Sequence, residues 1–309
     1  MGWAEALNPP IYLVSILPGL GVPLLAQAPV PGAVGLVLAT FAVVLLQHAI
    51  NLFNDAADWR LGADVEKYDS WVRVHGERPQ TAVLHGGLSL LAGGLLGLAV
   101  LWYQDQLWML VIALPMVALG YLYNAGSKPL SYTHLGEWVT GFCYGPGVFG
   151  CLWLVAGLEA DRDMLAGSVA FAALAVALLL SHQPPQIGTD RAAGKRSFVV
   201  RYGVERTVAT ARLLFAVSLI SLTLAVWPDA SPVAAVLVTV AALMAGLGRR
   251  HACESQAHPS RRQCLYRLRP DGRLFRRLAA PADGPDGVAG ACGLSLSPGL
   301  TSVAAFLTG

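Results

Sequence analysis

The sequence predicts an all-α, polytopic membrane helix bundle, and three observations carry that prediction. Of its 309 residues 55% are hydrophobic and only 13% charged, with a mean hydropathy of +0.55; a soluble domain carries about 25% charged residues. Apolar stretches of bilayer-spanning length recur along the chain. The Lys and Arg residues between those stretches fall almost entirely on alternate loops, the pattern that orients membrane proteins.

Taken in order, the predicted spans are Pro10–Ala28, Ala33–Phe53, Val83–Tyr103, Leu107–Tyr123, Trp138–Leu158, Met164–Ser181, Val208–Trp227 and Pro232–Gly248. Pro18 and Pro23 interrupt the first, which predicts a kink or partial re-entry there. No short apolar segment leads into a small-residue cleavage site, so a secretory leader is not expected. The loops after spans two, four and six carry Arg60, Lys67, Arg73 and Arg78, then Lys128, then Arg191, Lys195, Arg196, Arg201 and Arg206; the opposite loops carry only Arg162. This bias places the charged loops and the N-terminus in the cytoplasm. Arg201 and Arg206, nearest the next span, are expected to serve orientation. The five cysteines show no CxxC or Cys/His ligand spacing, and Cys143 and Cys151 read as small buried hydrophobes.

Acidic residues at a membrane boundary are costly and tend to mark a site. The second span ends in Asn51-Leu-Phe-Asn54-Asp55-Ala-Ala-Asp58, with Asp64 six residues on. Continued helix would set Asp55 and Asp58 on one face with Asn51 and Asn54 one turn back. Hard oxygen ligands so grouped suit a Mg²⁺ ion holding a phosphorylated substrate; the alternative is a helix end passing into a solvated acidic loop. A second cluster follows the sixth span, where Asp190 precedes Arg191, Gly194, Lys195 and Arg196. Such a loop could bring cations to a diphosphate while Asp190 helps hold the metal, although an ordinary cytoplasmic loop would explain much of its charge. Between the two lies a turn with Tyr121, Gly126, Lys128, Pro129, Gly136 and Glu137. Its one basic residue, Lys128, is a candidate phosphate contact, while its tyrosines also suit an interfacial belt. His48 and His182, near cytoplasmic ends of spans, are pocket candidates with interhelical hydrogen bonding as the alternative.

Together these three loops resemble the UbiA-type intramembrane prenyltransferases, in particular the branch that makes menaquinone-type quinones. Asn54-Asp55-Ala-Ala-Asp58 with Asp64 is similar to that branch's first Asp-rich motif, Asp190 through Gly203 to the end of its second, and Gly126-Ser-Lys-Pro-Leu130 with Gly136-Glu137 to its middle loop. The likeness runs from about residue 8 to residue 248. It implies eight to nine transmembrane helices in two four-helix halves around a central cavity open to the cytoplasm, in a bacterial inner membrane. It also implies a polyprenyl diphosphate donor, an aromatic acceptor and Mg²⁺, with no nucleic-acid partner. Mapped onto this chain, Asp55, Asp58 and Asp190 would be catalytic. Asn54, Asp55, Asp58, Asp64, Gln186 and Asp190 would hold the metal. Asn54, Lys128, Arg191, Lys195 and Arg196 would hold the diphosphate, and Asn51, Tyr121 and His182 are the acceptor-side candidates.

Two features depart from the family pattern. The second motif usually reads Asp-x-x-x-Asp, often within His-Glu-Phe-Pro-Asp; here His182-Gln-Pro-Pro-Gln186 precedes Asp190, so two acids stand as amides. From Arg249 onward the chain holds nine Arg, no Lys and four acids. That atypical tail, residues 249–309 beside a transmembrane domain of residues 1–248, fits a shifted reading frame of a GC-rich gene or a basic extension for anionic lipid; only Leu294–Leu307 offers a short ninth helix. The competing functions are a catalytically degenerate binder of prenyl lipid or quinone, a secondary transporter and a CDP-alcohol phosphotransferase. Acids clustered at one face count against the transporter, and the missing Asp-Gly-x-x-Ala-Arg run against the phosphotransferase.

Overall fold

The computed structural model describes residues 3–7, 9–26, 29–63, 70–126 and 129–226, together with Arg267–Leu268 and Leu274–Phe275. Asp64, Lys128, the predicted span Pro232–Gly248 and, those two dipeptides apart, the Arg-rich tail lie outside the described residues. The chain divides into two units, Met1–Ala242 and Leu243–Gly309. Of the second, the described part is one antiparallel pair, β1 (Arg267–Leu268) with β2 (Leu274–Phe275).

The described part of the first unit is helical, as the sequence predicts. Its elements are α1 (Trp3–Leu7), α2 (Leu13–Ala26), α3 (Ala33–Leu61), α4 (Trp71–Val74), α5 (Pro79–Tyr103), α6 (Leu110–Asn124), α7 (Gly136–Phe142), α8 (Cys151–Val155), α9 (Arg162–His182), α10 (Ile187–Ala192), α11 (Phe198–Tyr202) and α12 (Val204–Val226). Six segments among the described residues are long and apolar enough to cross a membrane: Ala33–Leu61, Pro79–Tyr103, Leu107–Asn124, Gly136–Val155, Arg162–His182 and Val204–Val226.

Packing follows membrane logic, with small residues inside and large apolar ones outside. On α5 the buried stripe is Ala82, Gly86, Ser89 and Gly93, and the helix lies against α3. The opposite stripe, Leu84, Leu88, Leu91 and Leu95, is more than half exposed. α9 pairs with α12 in the same manner. A Cβ on Gly145 would collide with the Ser168 carbonyl, and one on Gly167 with the Phe149 ring, so these glycines set how closely α9 approaches the Gly136–Val155 segment. The main apolar core joins Val22 and Leu25 of α2, Leu36 of α3, Phe149, Trp153 of α8 and Phe171 of α9.

Local chemistry explains three departures from the predicted spans. α2 continues through Pro18 and Pro23, preceded by a 3-10 turn at Pro9–Tyr12, and spans only 14 residues. The fifth span absorbs Pro146 in a π-helical stretch, Cys143–Gly150, whose wider turn relieves the clash a proline ring makes inside an α-helix. The second span continues beyond Phe53 to Leu61, so its acidic motif rides on helix. Gly62 stops it at φ +85, with the Ala63 N–H closing onto the Asp58 carbonyl at 2.9 Å. This is the left-handed glycine termination that satisfies the last carbonyls within the turn itself.

Candidate active site

The two acidic motifs end in the same backbone turn. After Asp58 the chain reaches a left-handed Gly62 and closes from the Ala63 N–H. After Asp190 it reaches Gly194, at φ +75, and closes from the Lys195 N–H to the Asp190 carbonyl at 2.8 Å. Each acid therefore sits in the last turn of its helix, four residues before the glycine.

These turns meet. Lys195 Nζ donates to Asp58 Oδ2 at 3.1 Å and stands 4.0 Å from Asp190 Oδ1. Asn54 Nδ2 donates to the same Asp58 oxygen at 3.1 Å. Ser197 Oγ donates to Asp190 Oδ2 at 2.6 Å, and the ammonium of Lys195 lies 5.3 Å from the centre of the Tyr132 ring. Asp58 is 2% exposed and Asp190 3%. Burial pushes the Asp190 carboxyl above the usual carboxylate range, opposed by Lys195 and the Ser197 bond and reinforced by the Asp58 charge. Burial works to lower the Lys195 ammonium, but Asp58 and Asp190 outweigh it and hold the group above the ordinary lysine value.

Asp58 Oδ1 is buried without a hydrogen-bond partner. A buried carboxylate oxygen left bare is costly, and a hard cation is a partner that would fill it. Among the described residues no three His, Cys, Asp or Glu side chains are grouped to hold a metal. The donor set of Asp58 and Asp190, with the Asn54 amide beside them, therefore fits a Mg²⁺ whose remaining ligands come from substrate phosphate and water, its common mode of binding.

The remaining predicted residues are more dispersed. Asp55 is buried, and its Oδ2 accepts the Trp71 N–H at 2.7 Å, which ties α3 to the start of α4. Arg191 and Arg196 are exposed; Gln186 is half-buried in the 3-10 turn Pro184–Gln186, one helical turn before Asp190. Asn51 hydrogen bonds Tyr12. Tyr121, 53% exposed, packs edge-on against Phe53, and His182 is half-buried at the end of α9.

A second acid is central to how the basic loop is held, although the sequence reading assigns it no role. Glu137 Oε1 accepts the Phe198 N–H at 2.8 Å and the Gln183 amide at 3.4 Å, while its Oε2 accepts Arg201 Nη2 at 2.8 Å. Gln183 Oε1 in turn accepts the Val199 N–H at 3.1 Å, and the Arg196 N–H donates to the Tyr132 carbonyl at 3.1 Å. Residues 195–198 are thereby pinned from both sides. Arg201, expected to serve orientation, is an ion-pair partner because its guanidinium reaches Glu137 across the helix start. An acid in the first turn of an apolar span, costly unless paired, is the signal that marks Glu137.

Six segments of membrane-crossing length among the described residues, with two acid motifs bridged by a buried lysine, define a polytopic helical membrane protein with a charged cluster inside it. The particular family follows from comparison: the model of the UbiA prenyltransferase family matches residues 13–269, and the chain belongs to that family. It is 28% identical over 187 residues to a 1,4-dihydroxy-2-naphthoate octaprenyltransferase of Bacillus subtilis, covering 58% of each chain. It is 31% identical over 209 residues to a 2-carboxy-1,4-naphthoquinone phytyltransferase of Synechocystis, covering 66% of each. A 1,4-dihydroxy-2-naphthoate octaprenyltransferase of Mycobacterium tuberculosis is 34% identical over 173 residues, 55% of this chain and 59% of that one. The chain thus spans less than two thirds of the length of these relatives. No solved structure matches it significantly.

Proposed function

We propose that this protein transfers a polyprenyl group from an allylic diphosphate to an aromatic acceptor of the dihydroxynaphthoate kind, with Mg²⁺, at the cytoplasmic face of a bacterial inner membrane. The observation that carries this reading is the buried Asp58–Lys195–Asp190 bridge, which joins both motifs and leaves Asp58 Oδ1 bare. The names of the three relatives support a naphthoate-type acceptor, and the Lys/Arg bias of the loops supports the orientation.

When bound, Mg²⁺ supplies positive charge that stabilises the diphosphate as it departs. Asp58, Asp190 and Asn54 would hold it, with Asp55, Asp64 and Gln186 as further candidates. Lys195 then exchanges a carboxylate for a diphosphate oxygen, keeping a charge-assisted bond throughout. Arg191 and Arg196, both exposed, meet the diphosphate from the aqueous side, and Lys128 is a further contact. The allylic C–O bond breaks with its electron pair passing to the diphosphate, and a ring carbon of the acceptor bonds to the allylic carbon and gives up its proton, or its carboxylate as CO₂. Asn51, Tyr121 and His182 are the side chains offered to the acceptor. The apolar bundle keeps water from the electron-poor carbon.

Membranes containing the protein, incubated with labelled geranyl, farnesyl and longer diphosphates and a set of aromatic acids, test this after lipid extraction. Labelled, Mg²⁺-dependent product that Asp58→Ala cuts to a small fraction is the expected result. Gln186 in place of an acid favours a second reading, a family member that binds prenyl lipid or quinone without turnover. Donor binding with no transfer to any acceptor would select it.

A further inference from the structure

A second polar cluster gathers around His48. The Tyr12 hydroxyl lies 2.6 Å from His48 Nδ1, His48 Nε2 lies 3.4 Å from His85 Nε2, and His85 Nδ1 lies 3.2 Å from His75 Nε2. Trp3 and Trp71 wall the three imidazoles with ring contacts of 4.9 to 5.7 Å to His48, His85 and, from Trp3, His75. The four groups come from four parts of the fold: the turn before α2, then α3, α5 and the turn after α4.

The order of the atoms decides what the cluster can do. His85 spends its two ring nitrogens on different neighbours, so the imidazoles run in line and do not converge on a point as metal ligands must. In line, three neutral rings with one proton each make a continuous donor–acceptor series. Tyr12 O–H donates to His48 Nδ1, His48 Nε2–H to His85 Nε2, and His85 Nδ1–H to His75 Nε2, which leaves His75 Nδ1–H for water. The outer end is open, since His75 is half-buried and Gly76, Glu77 and Arg78 after it are exposed. The inner end is buried: Tyr12 is 6% exposed and bonded to Asn51, an acceptor-side candidate, with Asp55 the charged group acting on it.

We propose that Tyr12, His48, His85 and His75 conduct a proton between the hydroxyl of the aromatic acceptor and the aqueous face. The inference rests on the transfer reaction proposed above. As the acceptor hydroxyl gives its proton to the Tyr12 oxygen, the Tyr12 proton passes to His48 Nδ1. The His48 Nε2 proton passes to His85 Nε2, the His85 Nδ1 proton to His75 Nε2, and the His75 Nδ1 proton to water. One proton enters, one leaves, and every side chain stays neutral. The electron pair left on the acceptor oxygen feeds the ring carbon that bonds to the allylic carbon, whose C–O pair departs on the diphosphate. The resulting ketone-form ring then loses its proton to water, or its carboxylate as CO₂, and becomes a phenolate. A proton from water returns along the same series in reverse to that phenolate, which restores every tautomer without any ring turning over.

The outer residue tests this best, because its removal leaves the buried members in place. His75→Ala should slow transfer roughly 100-fold, the lower end for a lost proton-transfer group. Imidazole added to the assay should restore most of that rate, and the solvent deuterium isotope effect should rise in His75→Ala and fall again with imidazole. His48→Phe should be slowed without imidazole rescue, with donor KM and helical content unchanged. Wild-type rates in both variants, or a His75→Ala deficit that imidazole leaves untouched, would overturn the chain while leaving the transfer reaction standing. A wild-type protein that forms no prenylated product under any condition would overturn both.

Discussion

Two buried acids, Asp58 and Glu137, each pair with a base across the fold, and they are finished differently. Both oxygens of Glu137 are filled, by the Phe198 N–H, the Gln183 amide and Arg201. Asp58 has one oxygen occupied twice, by Asn54 and Lys195, and the other bare. A buried carboxylate with both oxygens filled is held in one geometry, whereas one with a bare oxygen retains binding capacity. The contrast separates the acid that positions the basic loop from the acid that stands ready for a ligand. It also assigns the bases: Arg201, bonded through Nη2 to Glu137 and lying over the Phe198 and Tyr202 rings, is the holder. Lys195, a point charge between two carboxylates, is the group free to change partners.

The largest effect should come from Asp58. Asp58→Ala removes the bare oxygen and should lower prenyl transfer by roughly 100- to 1000-fold, the scale of losing one preorganised electrostatic contact, with thermal stability close to wild type. A variant that loses its fold as well would erase the distinction between the two acids. Glu137→Ala should do the opposite, costing about 1–3 kcal/mol of stability because the half-buried Arg201 loses its ion-pair partner and the Phe198 N–H its acceptor. Thermal melts in detergent would measure it, and the double change Glu137→Met with Arg201→Met should recover much of the loss. Gln183→Glu sharpens the comparison further. It removes the amide donor and sets a second carboxylate 3.4 Å from Glu137, so a loss of about 1–3 kcal/mol is expected. Unchanged melting would mean that the amide here is incidental.

The smallest effect is a pH slope. The folded-state carboxyl of Asp190 is raised by burial, so its contribution to stability is present below the ordinary aspartate value and lost as pH rises through the raised one. Melting temperatures of wild type should therefore fall relative to Asp190→Asn across that window. Parallel curves would show that Asp190 is no harder to ionise folded than unfolded. Lys195, also raised, contributes across the neutral range and loses its share only above the ordinary lysine value.

How much of this was legible in the sequence depends on the range of the interaction. The helices, the small-residue stripes and both motif acids follow from composition and local spacing. The identical turns at Gly62 and Gly194 are also written locally, as a glycine four residues after an acid. The pairing of Glu137 with Arg201 is not, because nothing in a spacing of 64 residues says that two loops meet.

Hydrophobic run length and charge bias by themselves determined that this chain is a membrane bundle, since the bilayer acts on every residue of a span independently of its neighbours. The motif residues determined the family, now borne out over residues 13–269. Only the tertiary structure decided which acids are spent and which are available. It turned Asp55 to the Trp71 N–H, closed Glu137 against Gln183 and Arg201, and left Asp58 with one oxygen bare. The physical reason is that satisfaction of a buried polar atom depends on what the packed helices bring within about 3 Å of it, a distance to which sequence separation is blind.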